Sequence, residues 1–312
     1  MVNRQSLLHQ EARLAFWMLA PTFIVVMAFV VFPVIWNLWL SLKPVSLGAL
    51  RGTSLFEFNL SLVNFHKVFG DPDFVPILLT TLFYTVGGSI LSIILGLTAA
   101  LLVHGEFPGR GLCRGLFIAP YIAPVVAVTF TWSFILDPQL GVLNWLAVNT
   151  GLLTQPIPFL SQRWMELDIT GMRVRLPLAL TSVILFEGWR YFPFAFLFIL
   201  ARLQSIPDEL YHAASVDGAS PFQRFYNITL PQLATVLSTL FLFRFIWTIN
   251  KFDDIFLLTR GHAGTKVITI KIYDYAFGEF NIGAGSAVAM VLFAILLLFL
   301  FIYFRWIVKE MR

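Results

Sequence analysis

Residues Ser205–Pro231 read SIPDELYHAASVDGASPFQRFYNITLP, a polar island between two apolar runs, each longer than a globular core needs. Its helix punctuation is dense. Ser205 with Asp208 three positions on is an N-cap pattern, and Pro207 falls in the first turn, where a missing N–H costs nothing. Asp208 and Glu209 put negative charge where a helix N-terminus favours it. This helix runs through Tyr211, His212, Ala213 and Ala214 and stops at Asp217-Gly218, because glycine takes the left-handed conformation that closes a helix end. Ser220, Pro221 and Gln223 then start a second helix, with Phe222, Phe225 and Tyr226 as its aromatic side. The expected unit, bounded at 204–229, is two short helices with a sharp bend at Gly218. A bare helix–helix connection needs only roughly two to eight residues, so an island this long and this well capped points to a docking surface.

Working outward, the flanks are those of a membrane protein. Apolar residues make up 58% of the 312, and charged residues 12%, against roughly 25% in soluble domains. The net charge of +4 is spread along the chain and does not point to nucleic acid. The single Cys113 excludes an internal disulfide and a cysteine-cluster metal site. A span needs roughly 20 mostly apolar residues, and six stretches qualify: about 14–42, 75–103, 116–136, 177–203, 230–259 and 282–303. The first is too long for a signal-peptide core of about 7–15 residues and reads as a retained anchor. The third is broken by Pro120 and Pro124, and Pro193 predicts a kink in the fourth. The fold class is therefore all-α, a polytopic membrane protein with one transmembrane domain over 1–312 and lipid as its surroundings.

With the N-terminus inside, Arg4, Arg13, Arg110, Arg114, Arg202, Arg224, Arg305, Lys309 and Arg312 lie in inner segments. The outer loops, roughly 43–74, 137–176 and 260–281, carry Lys43, Lys67, Arg173, Arg175 and Lys266 over a greater length, so basic density favours that orientation and puts both termini inside. None of these loops has the size or alternating pattern of a folded domain. In the middle one, Asp137-Pro138-x-x-Gly141-x-x-Asn144 predicts a turn and a short helix at the membrane surface. Trp36, Trp145 and Trp164 fit the interfacial belt.

Catalytic signatures are missing. Gly261-x-x-Gly264-Thr265-Lys266 lacks the order of a phosphate-binding loop, and neither a metalloprotease HExxH nor a G-x-S-x-G elbow occurs. His9, His66, His104, His212 and His262 are scattered, which argues against a histidine metal site.

Several motifs carry a resemblance. Ala213-Ala214-x-x-Asp217-Gly218-Ala219, followed at a fixed distance by Ile228-x-Leu230-Pro231, resembles the EAA loop of ABC importer permeases. Asn64-Phe65, Ala119-Pro120-Tyr121-Ile122-Ala123-Pro124, Gly141-x-x-Asn144, Phe252-Asp253-Asp254-Ile255-x-x-Leu258-Thr259 and Tyr273-x-x-Ala276-Phe277 are similar to the carbohydrate-importer branch, on the side of the maltose-type first permease. His212 stands where that family usually has the motif glutamate. The resemblance implies a type I ABC importer permease fold in the bacterial or archaeal cytoplasmic (inner) membrane, with the EAA loop on the cytoplasmic side. It implies an ATPase-coupling loop built from Glu209, His212, Ala213, Ala214, Asp217, Gly218, Ala219, Arg224 and Phe225. It further implies two copies of an ATP-binding subunit, a second homologous permease and an extracytoplasmic solute-binding protein. ATP and Mg would bind the partner ATPase, with no cofactor and no enzymatic activity in this chain.

Charges within the spans are the second informative feature. Each costs roughly 2.5–3.5 kcal/mol at the bilayer centre, so Glu187 and Arg190 in the fourth span and Arg244, Lys251, Asp253 and Asp254 in the fifth should face protein or water. At about 100° per residue, Arg244, Trp247, Lys251 and Asp254 share one stripe. With Asn250, Glu187 and Arg190 they form a candidate path for a hydroxyl-rich solute. The competing reading is mutual pairing, Glu187 with Arg190 or Arg244 and Lys251 with Asp254. The functional expectation is the permease subunit of an ATP-driven importer for a carbohydrate or related polyol or glycerol derivative, working by alternating access. The alternative is an ion-gradient-driven secondary transporter, a class that often shows repeated halves; no repeat is visible here.

Overall fold

The computed structural model describes residues 4–46, 58–169 and 172–307. Lys309 and Arg312, used above for orientation, and residues 47–57 of the first outer loop lie outside the described residues. The chain divides into two compact units, Met1–Asp71 with Ile272–Ala294, and Pro72–Lys271 with Ile295–Arg312.

In the smaller unit, α1 (Arg4–Val26) passes through one π-helical turn at Met27–Val31 into α2 (Phe32–Ser41). From Arg13 to Ser41 this helical run is apolar and exposed along most of its length, as suits a helix surrounded by lipid or by another chain. After α3 (Val63–Phe69) begins, buried Asn64 donates to the carbonyls of Ser41 (2.9 Å) and Lys43 (2.7 Å), closing the end of α2. Lys67 pairs with Glu279 at 2.7 Å, and the Tyr275 hydroxyl donates to Asp71 at 3.0 Å. Burial and that carboxylate push the Tyr275 phenol above its ordinary value.

The larger unit is built on α4 (Phe74–Leu102), with α5 (Arg110–Ile122), α6 (Val125–Ile135) and α7 (Val142–Asn149) following. A hairpin of β1 (Trp164–Ile169) and β2 (Met172–Pro177) leads into α8 (Leu178–Leu203). Then come α9 (Asp208–Val216), α10 (Pro221–Arg224), a π turn at Phe225–Thr229, α11 (Leu230–Ile249) and α12 (Asp253–Thr259). α13 (Ile268–Tyr273) spans the boundary between the units, and α14 (Ile282–Ile302), in the smaller unit as far as Ala294, and a π turn at Tyr303–Ile307 complete the described chain.

α4 lies along α8 through a ladder of small residues. Gly88, Ser92, Gly96 and Ala100 recur every fourth position, and a Cβ on Gly96 would stand 2.7 Å from the Ala195 Cβ and 2.8 Å from the Phe196 nitrogen. Membrane helices use such ladders to approach closely, because packing rather than water exclusion holds them together. Around the Gly96 end, Phe192, Phe196, Ile199, Leu203, Leu233 and Leu240 form one apolar cluster.

Among the described residues, five helical runs are long and apolar enough to cross a membrane: Arg13–Ser41, Phe74–Leu102, Leu178–Leu203, Pro221–Ile249 and Ile282–Arg305. A sixth is reached if α5 and α6, bent by 97°, count as one span. The expected third span is thus sharply bent. Ala123 and Pro124 are extended (ψ 142° and 135°), because proline bars the residue before it from the helical region and brings no N–H. Pro193, expected to kink the fourth span, stays inside a continuous α8. The fifth span, read as 230–259, has its long helix end at Ile249, and Asn250–Phe252 separate it from α12.

The hairpin is the one sheet among the described residues and an addition to the expected helices. Its antiparallel register sets Glu166 opposite Arg175 and Asp168 opposite Arg173, and Arg175 reaches Glu166 at 3.1 Å. Before the hairpin, Asp137 accepts the backbone N–H of both Leu140 and Gln139 at 2.8 Å, which holds its carboxyl below the usual range. The expected turn and short helix follow as 137–141 and α7. Buried Asn144 fastens them by donating to the Asp137 carbonyl (3.2 Å) and exchanging two bonds with Ile157.

Candidate functional site

Two places in the larger unit hold the residues singled out from sequence. The first is a polar cluster around one turn of α8. Gly88 makes room for it, since a Cβ there would stand 2.6 Å from the Glu187 Cγ. Glu187 and Arg244 are almost fully buried and meet at 2.5 Å. Glu187 also accepts the hydroxyls of Tyr84 (2.8 Å) and Thr248 (3.0 Å), and Arg244 Nε donates to Ser92 (3.1 Å). Every charged group of the pair is bonded, the condition under which such a pair survives burial.

Beside it stands Tyr191, which the sequence reading did not select. The Lys251 ammonium lies 4.0 Å and the Arg244 guanidinium 4.7 Å from its ring centroid. Its hydroxyl accepts from Lys251 Nζ and donates to Asp254 Oδ2 at 3.0 Å, and Lys251 and Asp254 pair at 3.4 Å. Arg190 does not pair with Glu187. It donates to the carbonyls of Pro120 (3.3 Å) and Ala123 (3.0 Å) at the α5–α6 bend, and its Nε to the Tyr191 hydroxyl (3.2 Å).

The single stripe expected for Arg244, Trp247, Lys251 and Asp254 is corrected by the end of α11 at Ile249, which takes Lys251 and Asp254 off that helix. Arg244, Lys251 and Asp254 still converge, on Tyr191. Trp247 goes elsewhere: it is 44% exposed and packs on Phe194 (centroids 4.9 Å) and Phe243 (5.7 Å, stacked). Exposed Asn250 donates to the Ile246 carbonyl at 2.7 Å, closing the last turn of α11. The cluster thus has a buried, internally paired half and a part-exposed rim at Lys251 and Tyr191, where the Tyr121 ring stands edge-on to Tyr191 (centroids 6.1 Å).

The second place is the two-helix unit. Gly218 sits at φ 77°, and around it Asp217, Gly218 and Ala219 donate to the carbonyls of Ala213, Ser215 and Ala214 at 2.9–3.1 Å. This is the helix closure the sequence predicts. Ser220 Oγ accepts from Gln223 N (3.3 Å) and Gln223 Oε1 from Ser220 N (2.7 Å), a complete capping box. Ser205 is a correction. α9 begins at Asp208 after Pro207 with no side-chain cap, and the Ser205 hydroxyl serves the end of α8, donating to the Arg202 carbonyl at 2.8 Å.

The helices of this unit are bound to each other and to their root. Arg224 Nη1 donates to Ser215 Oγ at 2.9 Å, and the Tyr211 and Thr229 hydroxyls meet at 3.0 Å. Beneath them lies an open cavity of about 380 Å³, lined by His104, Leu203, Tyr211, His212, Arg224 and Phe225 among others. Glu209, His212, Ala213 and Asp217 are exposed, Ala214, Ala219, Arg224 and Phe225 half-buried. Val216 (88% exposed), Phe222 (75%) and Tyr226 (60%) stand out from the unit as apolar knobs.

Residues 92–312 match the family model described as binding-protein-dependent transport system inner membrane component. The chain is 31% identical over 296 residues to the trehalose transport system permease protein SugA of Mycobacterium tuberculosis (strain CDC 1551 / Oshkosh), covering 95% of this chain and 89% of that protein. It is 32% identical over 297 residues to the inner membrane ABC transporter permease protein YcjO of Escherichia coli (strain K12), covering 95% and 94%. It is 30% identical over 305 residues to the trehalose/maltose transport system permease protein MalF of Thermococcus litoralis, covering 96% and 95%. Among solved structures, a chain of a bacterial alginate ABC transporter, in complex with an alginate pentasaccharide-bound periplasmic protein, superposes with a TM-score of 0.78. At 20% identity, covering 97% of this chain and 96% of that one, it speaks for the fold alone.

Proposed function

The chain belongs to the family of binding-protein-dependent transport system inner membrane components, and we propose that it is the permease subunit of an ATP-driven importer for a neutral carbohydrate. Relatives named for trehalose and maltose transport support that class, and so do the exposed, stacked rings of Trp247 and Phe243 on α11. An aromatic face suits the apolar side of a pyranose, and Lys251 and Asn250 can exchange hydrogen bonds with its hydroxyls. The Glu187–Arg244 pair sits behind that rim and holds α8 against α11.

In this reading the two-helix unit faces the cytoplasm and receives one ATP-binding subunit, while a second permease docks beside this chain and an extracytoplasmic binding protein delivers the solute. ATP and Mg bind the partner subunits, and hydrolysis takes place there. Closure of the ATPase pair carries α9 and α10 with it, and the spans respond as rigid bodies, opening alternately to the two sides. The observation that carries this is the construction of the unit: a capped, cross-bonded pair of short helices that leaves Val216, Phe222 and Tyr226 bare. A photo-crosslinking residue at Val216 or Phe222, in membranes holding the whole transporter, tests it. The expected adduct is with the ATP-binding subunit. Adducts with lipid alone would remove the docking assignment.

A further inference from the structure

Two helix interruptions of the larger unit converge on a single turn of α8. At the α5–α6 bend, the helical donor for the Pro120 carbonyl would be residue 124, and Pro124 has no N–H. Arg190, 6% exposed, supplies that proton from Nη1 and serves the Ala123 carbonyl from Nη2. A freed carbonyl at membrane depth must find such a partner, and a planar guanidinium can reach two at once. At the other interruption, Lys251 lies in the gap between α11 and α12 and Asp254 in the first turn of α12, and both are held by the Tyr191 hydroxyl. Arg190 Nε donates to that same oxygen. A phenol offers one proton and two lone pairs, so Asp254, Lys251 and Arg190 use its whole capacity.

We propose that Arg190 and Tyr191 are positioning residues that join the two interruptions, so that the bend at Ala123–Pro124 and the gap at Asn250–Phe252 loosen and tighten together. A rearrangement at the rim beside Lys251 is then felt at Pro120 and Ala123 through a path of three hydrogen bonds. The use of this link in solute passage rests on the transport reading above, whereas the link itself does not.

Hydrogen exchange on the whole transporter in lipid nanodiscs, without nucleotide, tests it. Tyr191→Phe keeps the ring and its cation contacts but removes the shared oxygen. Exchange should rise by about fivefold in peptides covering both 119–128 and 248–256, the factor expected for loss of an ordinary hydrogen bond. A rise confined to 248–256 would overturn the proposal. Arg190→Lys keeps the charge but not the fork, and serves if the first variant inserts poorly. It should raise exchange in 119–128, and adding Tyr191→Phe should then raise that segment no further, since both changes cut one path. An additive effect would mean that the two interruptions are independent. Because the readout needs no nucleotide, a transporter that proved indifferent to ATP would refute the function proposed above and leave this result interpretable.

Discussion

Removing the carboxylate of Glu187 tests how the centre of the larger unit is held. Glu187 and Arg244 are 0% and 1% exposed and 2.5 Å apart. At an effective dielectric of about 20, that separation gives a gross attraction of about 7 kcal/mol. Desolvation takes back several kcal/mol per ion, so the intact pair adds little net stability. The single variant differs in kind. In Glu187→Ala, Arg244 keeps Ser92 as a hydrogen-bond partner but has no countercharge within the cluster other than Asp254, which is already shared by Lys251 and Tyr191. The expected loss is about 3–5 kcal/mol, as for other buried pairs broken on one side. Glu187→Met/Arg244→Met, which removes both charges and fills the space, should return to within about 1 kcal/mol of the parent. SDS-titrated unfolding followed by tryptophan fluorescence reads both. If the double variant loses as much as Glu187→Met and Arg244→Met measured singly and added together, mutual compensation is not what keeps these charges in the membrane.

Three further outcomes are expected. Gly218→Val should lower transport and stimulated ATPase activity while membrane insertion survives; nothing stands within 4 Å of the added Cβ, so the cost is the backbone at φ 77°, about 1–3 kcal/mol, and normal coupling in an assembled complex would count against the role of the bend. In a Cys113→Ser background, Trp247→Cys and Asn250→Cys should react with a hydrophilic maleimide and respond to nucleotide trapping, while Arg244→Cys and Asp254→Cys stay slow in the resting state; the opposite ranking would place the solute path elsewhere. The Asp137 carboxyl is held low by the N–H groups of Gln139 and Leu140, so its contribution to the α6–α7 turn is complete above the ordinary aspartate value of about 3.9 and is lost as pH falls through the lowered one; exchange protection at Leu140, corrected for intrinsic rate, should follow that course and become pH-independent in Asp137→Asn.

What the residues disclose on their own depends on how local the cause is. The bend at Gly218 and the capping box of Ser220 and Gln223 are decided within four residues, and both appear where the pattern puts them. The spans follow from hydropathy, which needs only length. Ser205 has the same local pattern but no helical turn to cap, since Pro207 holds the chain extended (ψ 131°) before Asp208. The end of α11 at Ile249 has no glycine or proline to announce it, and the residue that leaves the helix there, Lys251, is held by Tyr191, sixty residues away. Arg190 is ambiguous for a similar reason: its spacing allows Glu187, and only the folded chain brings the carbonyl orphaned by Pro124 within reach. Two signals were legible and went unread. One is the four-residue spacing of Gly88, Ser92, Gly96 and Ala100. The other is the alternation in Trp164–Ile169 with a Thr-Gly pair before the answering strand, a hairpin pattern.

The most direct measurement is solute uptake by the transporter reconstituted in proteoliposomes, with this chain, its permease partner, the ATP-binding subunit and the binding protein. The expected result is accumulation of a labelled neutral sugar that requires ATP on the side of α9 and α10, is stimulated by the loaded binding protein, and is indifferent to protonophores and sodium ionophores. Accumulation by this chain under an ion gradient, without ATP or the ATP-binding subunit, would contradict it.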